Sequence, residues 1–324
     1  MGTEKKNVEG EYIPSILIGN DMPEEKRPPV IDYEGSDYQT RFWETGGRDY
    51  EDRCEAIALK RLLPQSGKLM LELGAGAGRN TLRYLGFERV ILLDYSLTQL
   101  KQAQERLGTS KRYIYVAADI YRLPFVTSLF DATTMIRALH HMADAPTALR
   151  QVRNVLRPGA TFILEYANKR NLKAILRYAL HRQYWNPFGL ESVEFAPLNF
   201  DFHPQTVDRW LRELGFWIEK TMTVSHFRIG ILKRTIPTGL LVLMDSFLQW
   251  TGALVRLSPS IFLKARVLGS GNSTGRSGDV AGFFKCPECG QAPLVNEVHQ
   301  MVCPNCDRKW KIFDGIYDFR GQKL

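Results

Sequence analysis

The sequence predicts an α/β fold on a mostly parallel sheet, and three observations predict it. Apolar runs at Leu69–Leu73, Val90–Leu93 and Tyr113–Ala118 have the length of buried parallel strands rather than of core helices. The first run passes directly into the loop Gly74-Ala75-Gly76-Ala77-Gly78. The second ends on an acid, Asp94, twenty positions after Gly74. A strand, a glycine turn and an acid at the next strand tip together place a nucleotide-like ligand at the carboxyl edge of such a sheet.

Taken in order, residues 1–47 form an arm, polar and proline-bearing over residues 1–30. In it Tyr33, Tyr38, Phe42 and Trp43 crowd together, suited either to a lid or to packing on the sheet. A helix is expected over Tyr50–Leu63, followed by the first strand. Glycines in the loop allow a tight turn and leave no side chain between backbone and ligand. A second helix is expected to open near Arg79 and Asn80, aiming its unpaired N–H groups at the ligand. Asp94, with Tyr95 beside it, ends the second strand and suits the two hydroxyls of a ribose. The third strand ends in Ala118-Asp119-Ile120, a tip suited to an adenine amino group and ring face.

Three details favour S-adenosylmethionine over a dinucleotide. The glycines run G-x-G-x-G rather than G-x-G-x-x-G. Glu72 stands two places before Gly74, where the methionine ammonium would lie, and the third strand carries its own terminal acid, Asp119. With Phe130-Asp131-Ala132, the segment Arg137-Ala138-Leu139-His140-His141-Met142, and Val155-Leu156-Arg157-Pro158-Gly159-Ala160, residues 48–168 resemble the class I S-adenosylmethionine-dependent methyltransferases. The likeness is greatest to the group containing the ubiquinone and menaquinone biosynthesis enzymes. The resemblance implies a Rossmann-like sheet with an antiparallel last strand. It implies a cofactor site made of Glu72, Gly74, Ala75, Gly76, Gly78, Asn80, Asp94, Tyr95, Ala118, Asp119, Ile120 and Arg137.

The methyltransferase domain is expected over residues 48–268, with Phe216–Val224 as sixth strand and Ile261–Val267 as antiparallel last strand. Insertions at 168–202 and 225–257 follow the fifth and sixth strands, so both emerge at the ligand-binding edge and roof it. In the first, Leu172, Ile175, Leu176, Ala179 and Leu180 make one apolar stripe on a helix over Asn171–Arg182. The second, Ile236–Leu257, is apolar but broken by Asp245, Gln249 and Arg256, which excludes a membrane span. It reads as a packed helix or as one lying on a membrane surface. Net charge is +8, and residues 169–270 hold 14 Lys/Arg against 7 Asp/Glu. That surplus fits RNA, anionic lipid or a solvated face.

Gly269–Gly275 is rich in glycine and serine, and residues 269–282 are expected as a flexible linker to a module at 283–324. There Cys286-Pro287-Glu288-Cys289 and Cys303-Pro304-Asn305-Cys306 give two CxxC knuckles thirteen residues apart. Four thiolates on two tight turns suit a closed, structural zinc site rather than a catalytic one. With Lys311–Phe319 the module resembles the small zinc-ribbon subunit that activates tRNA and release-factor methyltransferases, with Tyr317 standing where proline is frequent. That likeness implies docking of the ribbon on the catalytic domain and suggests an RNA-linked substrate. Paired cysteines, a lone Cys54 and no apolar signal core at Met1–Lys6 set a reducing, cytoplasmic location as the expectation.

Methyl transfer is an in-line displacement in which positioning supplies about 7–11 kcal/mol. A general base is needed only where the acceptor must lose a proton. His140 and His141, just after the fourth strand, are the candidates, with Tyr166, Asp201 and His203 weaker. No N/D-P-P-Y/F motif follows that strand, which argues against the amino-group methylation that uses it. RNA is the first acceptor expected, a lipid, quinone or other small apolar molecule the second. A cofactor-binding partner subunit without turnover is the third.

Overall fold

The computed structural model describes residues 16–17, 28–36, 47–269 and 279–321. Tyr38, Phe42 and Trp43 lie outside the described residues, as does the stretch 270–278. Two short antiparallel strands, β1 (Ile16–Leu17) and β2 (Val30–Ile31), precede α1 (Asp49–Leu62). In α1 Tyr50, Cys54, Ala58, Leu59 and Leu62 recur at helical spacing and are all buried. Next come β3 (Gly67–Leu73), β4 (Phe87–Asp94), α2 (Leu97–Leu107), β5 (Tyr113–Ala117), β6 (Phe130–Met135), α3 (Ala145–Val155) and β7 (Leu156–Ala167). The first insertion contains α4 (Leu172–Ala179) and the hairpin β8 (Val193–Ala196) and β9 (Asn199–Asp201). It leads to α5 (Pro204–Glu213) and β10 (Phe216–Val224). The second insertion holds α6 (Gly230–Thr235), α7 (Thr238–Leu248) and a 3-10 turn at Gln249–Ala253 before β11 (Ser260–Val267). The C-terminal module is β12 (Val295–Glu297), β13 (Gln300–Val302), β14 (Lys309–Phe313) and β15 (Ile316–Asp318).

One eleven-stranded sheet runs β10-β11-β7-β6-β3-β4-β5-β15-β14-β13-β12. From β7 to β15 the pairs are parallel, while β11 is antiparallel to both β7 and β10. Alternate residues feed two separate cores. Leu71, Ile91 and Val116 enter one, and Met70, Val90, Leu92 and Tyr115 the other. A sheet buried on both faces needs near-continuous apolar strands, which is why these read as runs rather than alternations.

The helix expected at Arg79–Asn80 is absent. Only a 3-10 turn, Thr81–Arg83, follows the glycine loop, and β4 begins at Phe87. Thr81 Oγ1 and Tyr84 OH both donate to the Glu72 carboxylate, at 2.6 and 3.1 Å, and pull this connection down onto β3 before a helix can extend. The stripe on α4 also differs, because Leu172, Leu176 and Leu180 face outward. Residues 279–282, expected in the linker, are ordered: Val280–Phe283 form a 3-10 turn, and the Val126 N–H donates to the Phe283 carbonyl. Phe284 stacks on Phe125 at 5.8 Å and meets Tyr317 and Phe319 at 4.9 Å, so the C-terminal module shares the core of the sheet. Its strand β15 covers the exposed edge of β5, which would otherwise offer unpaired backbone groups.

Candidate functional site

The glycine loop folds back on the tip of β4. Gly74 has φ +66°, and a Cβ there would lie 2.7 Å from the Ala138 Cβ. Gly76, at φ +52°, donates its N–H to Asp94 Oδ2 at 2.8 Å, while Asp94 Oδ1 accepts from the Ser96 N–H at 3.0 Å. Burial raises the Asp94 carboxyl, and the N–H groups of Ser96 and Gly76 oppose that rise. The Ala75 N–H reaches the Leu93 carbonyl and the Gly78 N–H the Ala75 carbonyl, both at 3.0 Å. The Ala118 N–H reaches the Asp94 carbonyl at 3.1 Å. Ala118, Asp119 and Ile120 are buried, and the Asp119 carboxylate accepts the Tyr121 N–H at 2.8 Å. Loop, Asp94, Tyr95 and the Ala118–Ile120 tip therefore stand together on β3, β4 and β5.

Glu72 is fully buried beneath the 3-10 turn, and burial pushes its carboxyl up to about 7 despite the Thr81 and Tyr84 hydrogen bonds. Asn80 is buried and accepts from Arg83 Nη1 at 2.5 Å. Arg137 adopts φ +54°, its N–H on Glu165 Oε2 at 2.8 Å and its guanidinium on Glu55 at 2.5 Å. Arg79 also reaches Glu55, at 2.7 Å. Burial alone would raise the Glu55 carboxyl, but Arg137 and Arg79 hold it below the usual value. Sequence reasoning missed Glu55 and Glu165. The only available signal was Asp52 and Glu55 three apart on the first helix, facing Arg79 and Arg83.

His140 and His141 follow β6 in a 3-10 turn, their rings 3.9 Å apart. His141 Nδ1 lies 3.3 Å from the Leu198 carbonyl of the roof, and Nε2 lies 3.2 Å from Tyr33 OH. Since the carbonyl only accepts, Nδ1 carries the proton and Nε2 accepts from Tyr33. Burial pushes His141 down to about 4, and burial, with His141 next in size, lowers His140 well below its usual range. Both imidazoles are uncharged at neutral pH. Of the weaker candidates, His203 caps α5 by accepting the Gln205 N–H at 3.3 Å, and Tyr166 is fully buried with its hydroxyl raised by burial. Asp201 ends β9.

Two distant segments close the cofactor side. Residues 28–36 cross to α2, where Glu34 accepts the Leu97 N–H at 2.9 Å. From the C-terminal module, Arg320 lies 5.7 Å over the Tyr95 ring and donates to the Tyr95 carbonyl at 3.1 Å and to Glu34 at 3.5 Å. Asp318 holds it at 2.9 Å. The four cysteines converge, all ligand atoms within 4.8 Å of one another, with Cys286–Cys306 at 3.7 Å and Cys289–Cys303 at 3.4 Å. The Gln291 N–H, followed by the Asn305 side chain, draws the Cys289 thiol down to about 6.

Residues 71–164 match the family described as a methyltransferase domain. The chain is 28% identical over 197 residues to the 2-phytyl-1,4-naphtoquinone methyltransferase of Nostoc punctiforme, covering 54% of this chain and 84% of that one. It is 33% identical over 133 residues to the demethylmenaquinone methyltransferase of Chlamydia trachomatis, covering 40% and 56%. Apart from the Nostoc protein, the chain spans less than two thirds of these curated relatives, from 36% to 64%. One solved structure is a complex between the Haloferax volcanii Trm112 methyltransferase activator and a methyltransferase. It superposes with TM-score 0.51 at 16% identity, over 72% of this chain and 96% of the matched one. That likeness is one of fold. The chain contains an S-adenosylmethionine-dependent methyltransferase domain on a Rossmann-like sheet.

Proposed function

We propose that the whole chain methylates a small hydrophobic acceptor of the quinone type. S-adenosylmethionine supplies a methyl group already activated on a sulfonium. Asp94 accepts the ribose hydroxyls, Ala118–Ile120 bound the adenine, and Glu72 faces the ammonium. The loop surface that lacks Cβ atoms, with Gly76 bonded to Asp94, supports this fit. The observation that carries the acceptor reading is the charge state beyond β6. The two imidazoles there are neutral, and the nearest guanidinium groups are engaged, Arg137 by Glu55 and Arg228 by Glu51. Such a site suits a flat, uncharged molecule better than a phosphate-bearing one. Relatives named for naphthoquinone and menaquinone methylation support the same class. His140, which has no side-chain hydrogen bond among the described residues, is the group left to orient an acceptor hydroxyl or take its proton.

The same reading assigns one structural zinc to Cys286, Cys289, Cys303 and Cys306. Zinc–sulfur bonds of about 2.3 Å in a tetrahedron set sulfurs about 3.8 Å apart, close to the spacing found. RNA is the second reading, favoured by the pairing of a ribbon on β5 and its likeness to an activator subunit. Labelled S-adenosylmethionine, offered to the purified protein with total RNA and a lipid extract together, separates the two. Label in the organic phase is expected, and label confined to RNA overturns the quinone reading.

A further inference from the structure

The roof carries an outer surface that methyl transfer does not use. On α4, Leu172 and Leu176 point outward one turn apart, and Leu180 continues the line. On α7, Leu241, Val242 and Asp245 face inward, where Asp245 accepts from Tyr50 OH at 2.8 Å and from the His226 N–H at 2.8 Å. Its other side shows Leu240, Leu243 and Phe247, the last 70% exposed, and Leu254, just past the 3-10 turn that follows, is 90% exposed. The two faces join. The Leu172 N–H donates to the Leu257 carbonyl at 2.8 Å, and the Asn168 side chain reaches the carbonyls of Arg256 and Ser258. Scattered exposed leucines are ordinary, but outward apolar sets on two helices of one roof, tied through residues 256–258, mark an interaction surface.

Charge identifies the partner. Between Glu165 and Glu191 the sequence has five Lys/Arg and no Asp/Glu; Lys169 is buried on the Gly189 and Glu191 carbonyls, and Lys173, Arg177 and Arg182 are exposed. Residues 225–257 add Arg234 at the surface, while Arg228 and Lys233 pair with Glu51 and Arg256 with Asp208. Trp250, half exposed at the edge of the patch, has Lys220 over its ring at 4.2 Å and Arg61 at 5.1 Å.

We propose that this face is an interfacial docking surface for a lipid bilayer carrying anionic headgroups. Leucine and phenylalanine enter the acyl boundary, Arg170, Arg177 and Arg182 meet the headgroups, and Trp250 lies at the level between. A second copy of the chain fits poorly, because a self-complementary contact would bring these cations against each other. RNA fits less well, since on α4 and α7 the outward leucines Leu172, Leu176, Leu240 and Leu243 outnumber Phe247 and the Trp250 ring already carries two cations. The docking gives an acceptor dissolved in the membrane direct access to the roofed edge. For that purpose it rests on the quinone reading, although the surface argument itself does not.

Flotation with vesicles of phosphatidylcholine, alone or mixed with phosphatidylglycerol, tests it. The full chain is expected to float with the mixed vesicles and weakly with the neutral ones. Arg170→Gln/Arg177→Gln should weaken that binding about thirtyfold, and Phe247→Glu/Leu254→Glu should abolish it. Both variants should keep wild-type cofactor affinity and melting temperature. No flotation with either vesicle overturns the surface whatever the acceptor proves to be, as does flotation untouched by the variants. So does a homopolymer RNA retained through these same residues while vesicles are not, or a dimer dissolved by Leu254→Glu. Flotation together with methylation of RNA alone would leave the surface standing and remove the quinone acceptor.

Discussion

At the tips of β3, β4 and β5 the site is held mostly by backbone close at hand: Gly76 and Ser96 bond Asp94, and Tyr121 bonds Asp119. At the tips of β6 and β7 the partners come from far along the chain. Tyr33 and Leu198, 108 and 57 positions away, hold His141, and Glu55, 82 positions away, holds Arg137. The first half presents a backbone surface fixed by local turns. The second is assembled only when α1, the arm and the roof are all in place. A cofactor common to many enzymes needs the first kind of site, and an acceptor that differs between them is served by the second.

The largest expected effect comes from the C-terminal module, one of the two remote segments on which the local half depends. Structural zinc contributes about 10–16 kcal/mol of apparent binding energy in small domains, so chelation or Cys303→Ser/Cys306→Ser should unfold the ribbon. That would uncover β5 and release Tyr95 from Arg320. The acceptor half, bolted by Tyr50 and Asp245 between α1 and α7, should persist. Amide exchange is expected to accelerate across Tyr113–Ala117 while Ser260–Val267 stays protected. Uniform acceleration in both strands would mean the two halves do not separate.

Next in size is Asp94→Ala. Charge-assisted hydrogen bonds contribute roughly 1.5–3 kcal/mol each, so cofactor affinity should fall tenfold or more by calorimetric titration, with the fold retained. Unchanged affinity would remove Asp94 from the site. His203→Ala makes a useful contrast, since it should cost stability through loss of a helix cap and leave cofactor affinity alone.

The same division explains what could be read from the sequence. The strands, the loop, the place of Asp94 at the tip of β4 and the convergence of the two knuckles were legible because each is a short pattern whose geometry is set by neighbouring residues. Phe216–Val224 was legible to the residue. The helix at Arg79 was misread because Gly78-Arg79-Asn80-Thr81 looks like a helix opening. The bonds from Thr81 and Tyr84 to buried Glu72, which cut it short, are tertiary. Nothing local announces that Arg320 reaches Tyr95 across 225 positions. The outward stripe on α4 was legible as a stripe, but periodicity does not say which way a stripe faces.

Glu72 offers a subtler test of the local half. Burial raises its carboxyl to about 7, so near pH 7 the cofactor-free protein carries a proton there part of the time. An ammonium placed beside it favours the carboxylate and lowers that value, so binding should release a fraction of a proton. Titration calorimetry in buffers of different ionisation enthalpy should show the release near pH 7. It should vanish in Glu72→Gln, which also binds more weakly. Identical heats in all buffers would separate Glu72 from the ammonium.

The smallest effect belongs to the acceptor half and lies in its pH dependence. His141 titrates near 4 when folded and near 6.5 when unfolded, because burial disfavours the imidazolium. Above about pH 6.5 the ring is neutral in both states and contributes no slope. As pH falls from there towards 4 the unfolded chain binds a proton that the folded chain refuses, so stability declines across that window. His141→Gln should keep a hydrogen bond to Leu198 and flatten part of the decline in the denaturation midpoint between pH 6.5 and 4.5. Turnover should show no inflection near 6.5, since neither histidine changes charge there in the folded protein. An inflection at that pH, lost in His141→Gln, would mean that water reaches the ring and that the acceptor half is more open than its contacts with Tyr33 and Leu198 imply.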